Sequence, residues 1–90
     1  MSDVHDNPAH SRYELVEQNH LAFAAYRLAD GVIAFTHTYV PPALEGQGIA
    51  SRLIAFALAD ARARGLEVRA ECAFVRAYLA RHPEERDLLG

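Results

Sequence analysis

The chain has no lysine: all nine basic residues are arginine. A phosphate-binding loop of the Walker type needs a lysine among its phosphate contacts, so that class is excluded. There is a single cysteine, Cys72, and no intramolecular disulfide can form. No apolar run is long enough to span a bilayer, and the polar residues behind Met1 lack the apolar segment of a secretion signal. The expected setting is a soluble, reducing cytoplasm. Basic excess is missing too. The formal net charge is −3, whereas a nucleic-acid binder needs a basic surface to release counterions.

What remains is a short, apolar-rich chain. Its 90 residues fit one domain, and a hydrophobic share of 51% is too high for a disordered protein. Residues 1–11 carry no periodic apolar pattern and read as a flexible tail, with the domain over 12–90. His5 and His10 lie in that tail with no cysteine or third histidine at ligand spacing, and the five scattered histidines do not make a metal site.

Tyr13 to Glu17 alternates in part and predicts a strand. Leu21 to Leu28 predicts a second, with Phe23, Ala25 and Arg27 on one side and Ala22, Ala24, Tyr26 and Leu28 on the other. Asp30-Gly31 is a hairpin signal. Val32 to Val40 is rich in β-branched and aromatic residues and predicts a central strand covered on both sides. Strict alternation puts Ile33, Phe35, His37 and Tyr39 on one face, and Val32, Ala34, Thr36, Thr38 and Val40 on the other. Pro41-Pro42 ends it. Ile49 to Arg64 predicts a helix whose stripe is Ala50, Leu53, Ile54, Ala57 and Ala61, flanked by Ile49, Phe56 and Leu58 and interrupted by Asp60. Leu66 to Ala70 predicts a brief strand. Ala73 to Arg81 predicts a second helix, stopped by His82-Pro83. The order β-β-β-α-β-α predicts an α+β domain with a mostly antiparallel sheet and two helices.

Gly46-Gln47-Gly48 stands between a strand and a helix. Glycines let backbone approach a ligand closely, and the first amides of a helix lack internal partners at the positive end of its dipole. That is an anion site suited to a pyrophosphate, with Ser51 as an extra hydroxyl donor and Arg52 as nearby charge. A Rossmann fingerprint fails because its third glycine position is Ser51.

Val40-Pro41-Pro42-Ala43-Leu44 followed by Glu45-Gly46-Gln47-Gly48-Ile49-Ala50-Ser51-Arg52-Leu53 resembles the coenzyme A-binding motif of the GNAT acetyltransferases. From about Tyr13 to Leu89 the chain resembles the minimal, stand-alone branch of that superfamily. The ordered markers are His37-Thr38, Cys72, Tyr78 and His82-Pro83. It departs from the pattern at Glu45 (usually Gln or Arg), at Tyr39 (often acidic in that branch) and at Ala70 (often Pro). It also lacks the first helices of full-length acetyltransferases, which shape the acceptor site.

The resemblance implies an acetyl-CoA-dependent N-acetyltransferase with an amine acceptor, a small molecule or a macromolecule, and no metal. The edge of the strand through Thr38, Tyr39 and Val40 would pair with the pantetheine arm. The amides of Gly46, Gln47, Gly48, Ile49 and Ala50 would hold the pyrophosphate. Three side chains are candidates for the chemistry, each with a plainer alternative. Cys72, where the last strand meets the last helix, is a thiolate nucleophile or a small buried hydrophobe. His37 is a general base or a core histidine. Tyr78 matches the family's usual donor to the departing thiolate, or is one more member of the apolar stripe with Phe74. The rival reading is a coenzyme A-binding or protein-interaction module without turnover.

Overall fold

A computed structural model describes residues 3–90. Five strands, β1 (Val4–Asn7), β2 (Arg12–Glu17), β3 (His20–Ala29), β4 (Val32–Tyr39) and β5 (Glu67–Ala70), form one sheet in sequence order. The first four pair antiparallel and β5 joins β4 in parallel. Helix α1 (Ile49–Ala63) makes the crossover that the parallel pair requires, and α2 (Ala73–Arg81) follows β5. Pro83–Leu89 closes the chain as 3₁₀ turns. The expected α+β architecture holds.

Alternation in β2 and β3 sets the core. Tyr13 and Leu15 of β2, and Ala22, Ala24 and Tyr26 of β3, are buried against Leu53, Ile54, Ala57, Leu58 and Ala61 of α1. Val75, Tyr78 and Leu79 of α2 join the same cluster, so both helices cover one sheet face. Asp60, which interrupts the apolar flank of α1, accepts the Tyr13 hydroxyl at 2.6 Å and pairs with Arg64 at 3.3 Å. Among the described residues, no element covers the opposite face. There Val16, Arg27, His37 and Tyr39 are exposed, Phe23 is half-buried, and the Arg12 guanidinium sits 4.7 Å above the Phe23 ring. The central strand is therefore covered on one side, not two.

Two further expectations are corrected. The segment read as a tail contains β1, which pairs with β2 from Val4↔Leu15 to Asn7↔Arg12 and is followed by a 3₁₀ turn over Pro8–His10. Val4 enters the core, Asp6 accepts the Tyr26 hydroxyl at 2.6 Å, and the Asn7 side-chain amide donates to Glu14 at 3.1 Å with His5 3.3 Å from the same carboxylate, so contacts across strands anchor a segment too short to show a period. Residues 1 and 2 of that predicted tail lie outside the described residues.

The second correction concerns the faces of β4. The register with β3 slips at Ala25/Tyr26, which pair with His37 and Phe35 and leave Thr36 without a partner. This bulge inserts one residue and exchanges the faces beyond it. Ile33 and Phe35 point into the core as expected, but His37 and Tyr39 emerge on the open face with Phe23, and Thr38 turns toward the helices.

Candidate functional site

β4 and β5 stay paired only from Val32↔Glu67 to Phe35↔Ala70, with a last backbone bond from the Glu71 amide to the Phe35 carbonyl at 3.0 Å. Beyond that point the chains part. β4 runs on to Tyr39, held on its β3 side alone, while the β5 chain turns into α2 at Cys72. The fork opens where the bulge lies.

At the mouth of the fork sits a cleft of about 320 Å³ lined by Val40, Leu44, Glu45, Gly46, Gly48, Ile49, Ala50, Ser51 and Phe74. A 3₁₀ turn over Pro42–Leu44 buries Leu44 and brings the chain round to the glycines. Gly48 is the N-cap of α1 at φ 74°, and Gly46 lies at φ 79°, left-handed conformations that side chains resist. No side chain caps the helix. The first hydrogen bond of α1 is from the Arg52 amide to the Gly48 carbonyl, and among the described residues the amides of Ile49, Ala50 and Ser51 reach no protein oxygen. A helix N-terminus left bare beside a cleft offers donors and the positive end of the dipole to an anion.

Of the residues expected here, Val40, Gly46, Gly48, Ile49, Ala50 and Ser51 line the cleft. Gln47 does not; its side-chain amide donates to the Ala43 carbonyl at 3.4 Å and braces the loop. Arg52 is not among the residues that line the cleft. It is drawn to Asp3 at 3.1 Å and Glu17 at 3.5 Å, acids that β1 and β2 bring from far away in sequence. The Tyr39 side chain packs on Phe23 across the open face, at 5.6 Å between ring centroids. Phe74, read from sequence only as part of an apolar stripe, proves to be a cleft wall.

The thiol stands at the fork. Cys72 is the N-cap of α2, 8% exposed, with its Sγ 3.4 Å from the Thr38 Oγ1. Burial opposes its ionisation, but hydrogen bonds from the Thr38 hydroxyl and from the Val75 and Phe74 amides outweigh that and leave the thiol below the ordinary cysteine value. Tyr78 lies one helical turn beyond Phe74 on the same side of α2, stacked on His82 at 4.1 Å between centroids. Burial, reinforced by Glu85 and Glu84, raises its phenol above the usual value and keeps it protonated. His37 is not a core histidine. It lies on the open face, edge-on to Phe23 at 6.2 Å, with the sheet between it and the Thr38–Cys72 pair. The structure thus joins Thr38 to Cys72 and sets His37 apart from both.

The GCN5-related N-acetyl-transferase family matches the sequence over residues 12–88. The chain belongs to that family. The fold agrees: the NMR solution structure of a GCN5-like protein from Staphylococcus aureus superposes with a TM-score of 0.73 at 27% identity, covering 98% of this chain and 89% of that one. Membership makes the chain an acyltransferase of the N-acetyltransferase kind.

Proposed function

We propose that the protein is an acetyl-CoA-dependent N-acetyltransferase acting on an amine that approaches from the open face of the sheet. The observation that carries this is the row of unpartnered amides at Ile49, Ala50 and Ser51, set on a cleft that opens into the β4–β5 fork. Bound acetyl-CoA would supply a thioester carbonyl open to attack by an amine, with a thiol as the leaving group. The residues then divide the work. The amides from Gly46 to Ala50 hold the pyrophosphate. The free edge of β4, through Thr38, Tyr39 and Val40, pairs with the pantetheine arm as an added strand would. His37, on the acceptor's side, takes the proton that the amine loses. Tyr78 gives one to the departing thiolate, which leaves as the thiol. A single thiol with a lowered pKa fits a reducing cytoplasm.

Cys72 offers a second route, in which its thiolate takes the acetyl group first and passes it to the amine. Intact-protein mass after incubation with acetyl-CoA decides between them: an added acetyl group that Cys72→Ser abolishes supports the relay, and its absence during turnover supports direct transfer.

One observation favours a module that binds coenzyme A without turnover: among the described residues, no element covers the sheet face on which an acceptor would sit. Thermal unfolding with acetyl-CoA, then thiol release across a broad amine panel, separates the cases. A ligand at about a hundred times its dissociation constant stabilises by roughly 2.7 kcal/mol. No stabilisation overturns both readings, and stabilisation without thiol release leaves the module.

A further inference from the structure

On the open face, below the fork, is a second cavity of about 290 Å³ lined by Arg27, Ala29, Asp30, Val32, Ala34, Arg69 and Glu71. Its shape follows from register. Arg27 pairs with Ala34 and Ala34 with Arg69, so two arginines flank an alanine in one row across three strands. Neighbouring strands lie about 4.8 Å apart, which places the two arginine stems roughly 10 Å apart over a floor with no side chain to fill it. Glu71 stands at the upper end, where β4 and β5 part, and Asp30 belongs to the turn at the lower end.

The charges are only partly spent. Arg27 reaches Glu71 through Nη2 at 2.9 Å, and among the described residues its other donors have no protein partner. Arg69 approaches Glu67 at 3.9 Å, beyond hydrogen-bond length. The lining offers two guanidinium forks at its sides and a carboxylate at each end, a pattern that matches a molecule carrying one group of each sign.

We infer that this cavity is the acceptor's subsite and that it selects a small zwitterion, an amino-acid-like molecule whose carboxylate lies between Arg27 and Arg69 and whose amino group points to Glu71 and the fork. The inference rests on the transferase reading for the word acceptor; the cavity's preference for a zwitterion stands on its own geometry. A carboxylate matches each guanidinium in plane, and the two lining acids oppose a group of higher negative charge such as a phosphate.

The test is an NMR titration of isotope-labelled protein with three probes: free amino acids, their carboxamides, and phosphoethanolamine. Free amino acids should move the amides of Arg27, Ala34, Arg69 and Glu71, and the carboxamides should bind far more weakly. Arg69→Gln, a change at an exposed side chain, should weaken binding about tenfold. Ala34→Leu should abolish it by filling the floor. Equal response to carboxamides, preference for phosphoethanolamine, or no movement of these amides overturns the inference. Acetyl-CoA added to the same samples reports separately at Gly46 to Ser51. If amino acids bind and acetyl-CoA does not, the transferase reading and the acceptor role fall and the zwitterion site remains. If acetyl-CoA binds and amino acids do not, the reverse holds.

Discussion

The Thr38 Oγ1 and the Cys72 Sγ lie 3.4 Å apart across the mouth of the strand fork, brought together because the bulge at Thr36 turns Thr38 inward. Burial works against a thiolate there, and the hydroxyl with the Val75 and Phe74 amides reverses the balance. Thr38→Val keeps the shape and removes the hydroxyl. The thiol pKa should rise, so the midpoint of iodoacetamide alkylation against pH should move upward and alkylation at neutral pH should slow several-fold. An unmoved midpoint would show that the amides alone set the thiol's acidity.

The cleft reading predicts a specific loss in Gly48→Val. No atom lies within 4 Å of a Cβ placed at Gly48, so the Cβ itself meets no neighbour. The cost to the fold is the left-handed backbone at φ 74°, about 1–2 kcal/mol. The cost to a pyrophosphate is larger, because a branched side chain stands before the helix amides. Gly65→Val is the matched control: similar backbone at φ 68°, at the far end of α1. Both variants should melt lower by a similar amount, and only Gly48→Val should lose acetyl-CoA affinity by calorimetric titration. Equal affinity in the two variants would remove the loop from the site.

Much of this fold was legible because alternation and helical spacing are strong signals. Tyr13, Leu15, Ala22, Ala24 and Tyr26 and the stripe members Leu53, Ile54, Ala57 and Ala61 are buried where the sequence put them, while Ala50 lies at the cleft and Leu28 is exposed. Three features were hidden for physical reasons. β1 is secured by the buried Val4, by Asp6 beneath the Tyr26 hydroxyl and by Asn7 and His5 at Glu14, and none of these makes a period. The bulge leaves no mark in alternation, because Thr36 is an ordinary strand residue, yet it sends His37 and Tyr39 to the opposite face from Phe35. The ion pairs of Arg52 were hidden as well, because Asp3 and Glu17 are far away in sequence and only the folded sheet brings them near. The site's backbone could be read in advance; the direction of its side chains depended on pairing.

Tyr78 separates chemistry from binding. Burial, with Glu85 and Glu84 nearby, holds its phenol protonated, as a donor to a departing thiolate needs. Tyr78→Phe keeps the ring stacked on His82 and removes only the hydroxyl. The turnover rate should fall by about 10²-fold or more, with acetyl-CoA affinity unchanged. If single-turnover kinetics show an intact chemical step, Tyr78 is a core residue alone.

The base of α1 predicts how the fold fails in alkali. The Tyr13 hydroxyl donates to Asp60 at 2.6 Å and the Tyr26 hydroxyl donates to Asp6 at 2.6 Å, with the two rings 5.3 Å apart. Burial first, then the paired carboxylates, push both phenols well above the ordinary tyrosine value. A folded-state pKa raised above its unfolded value gives stability that is complete below the unfolded value, near pH 10, and drains as pH climbs toward the folded one. The unfolded chain binds fewer protons in that window, so the midpoint of urea unfolding should drop steeply above about pH 10. Tyr13→Phe should cost about 1–3 kcal/mol at neutral pH, since it leaves the half-buried Asp60 without the hydroxyl it accepts from. In return its alkaline limb should be shallower, because one of the three raised phenols, Tyr13, Tyr26 and Tyr78, no longer titrates. Parallel limbs in Tyr13→Phe and the parent protein would mean that the alkaline loss comes from elsewhere in the molecule.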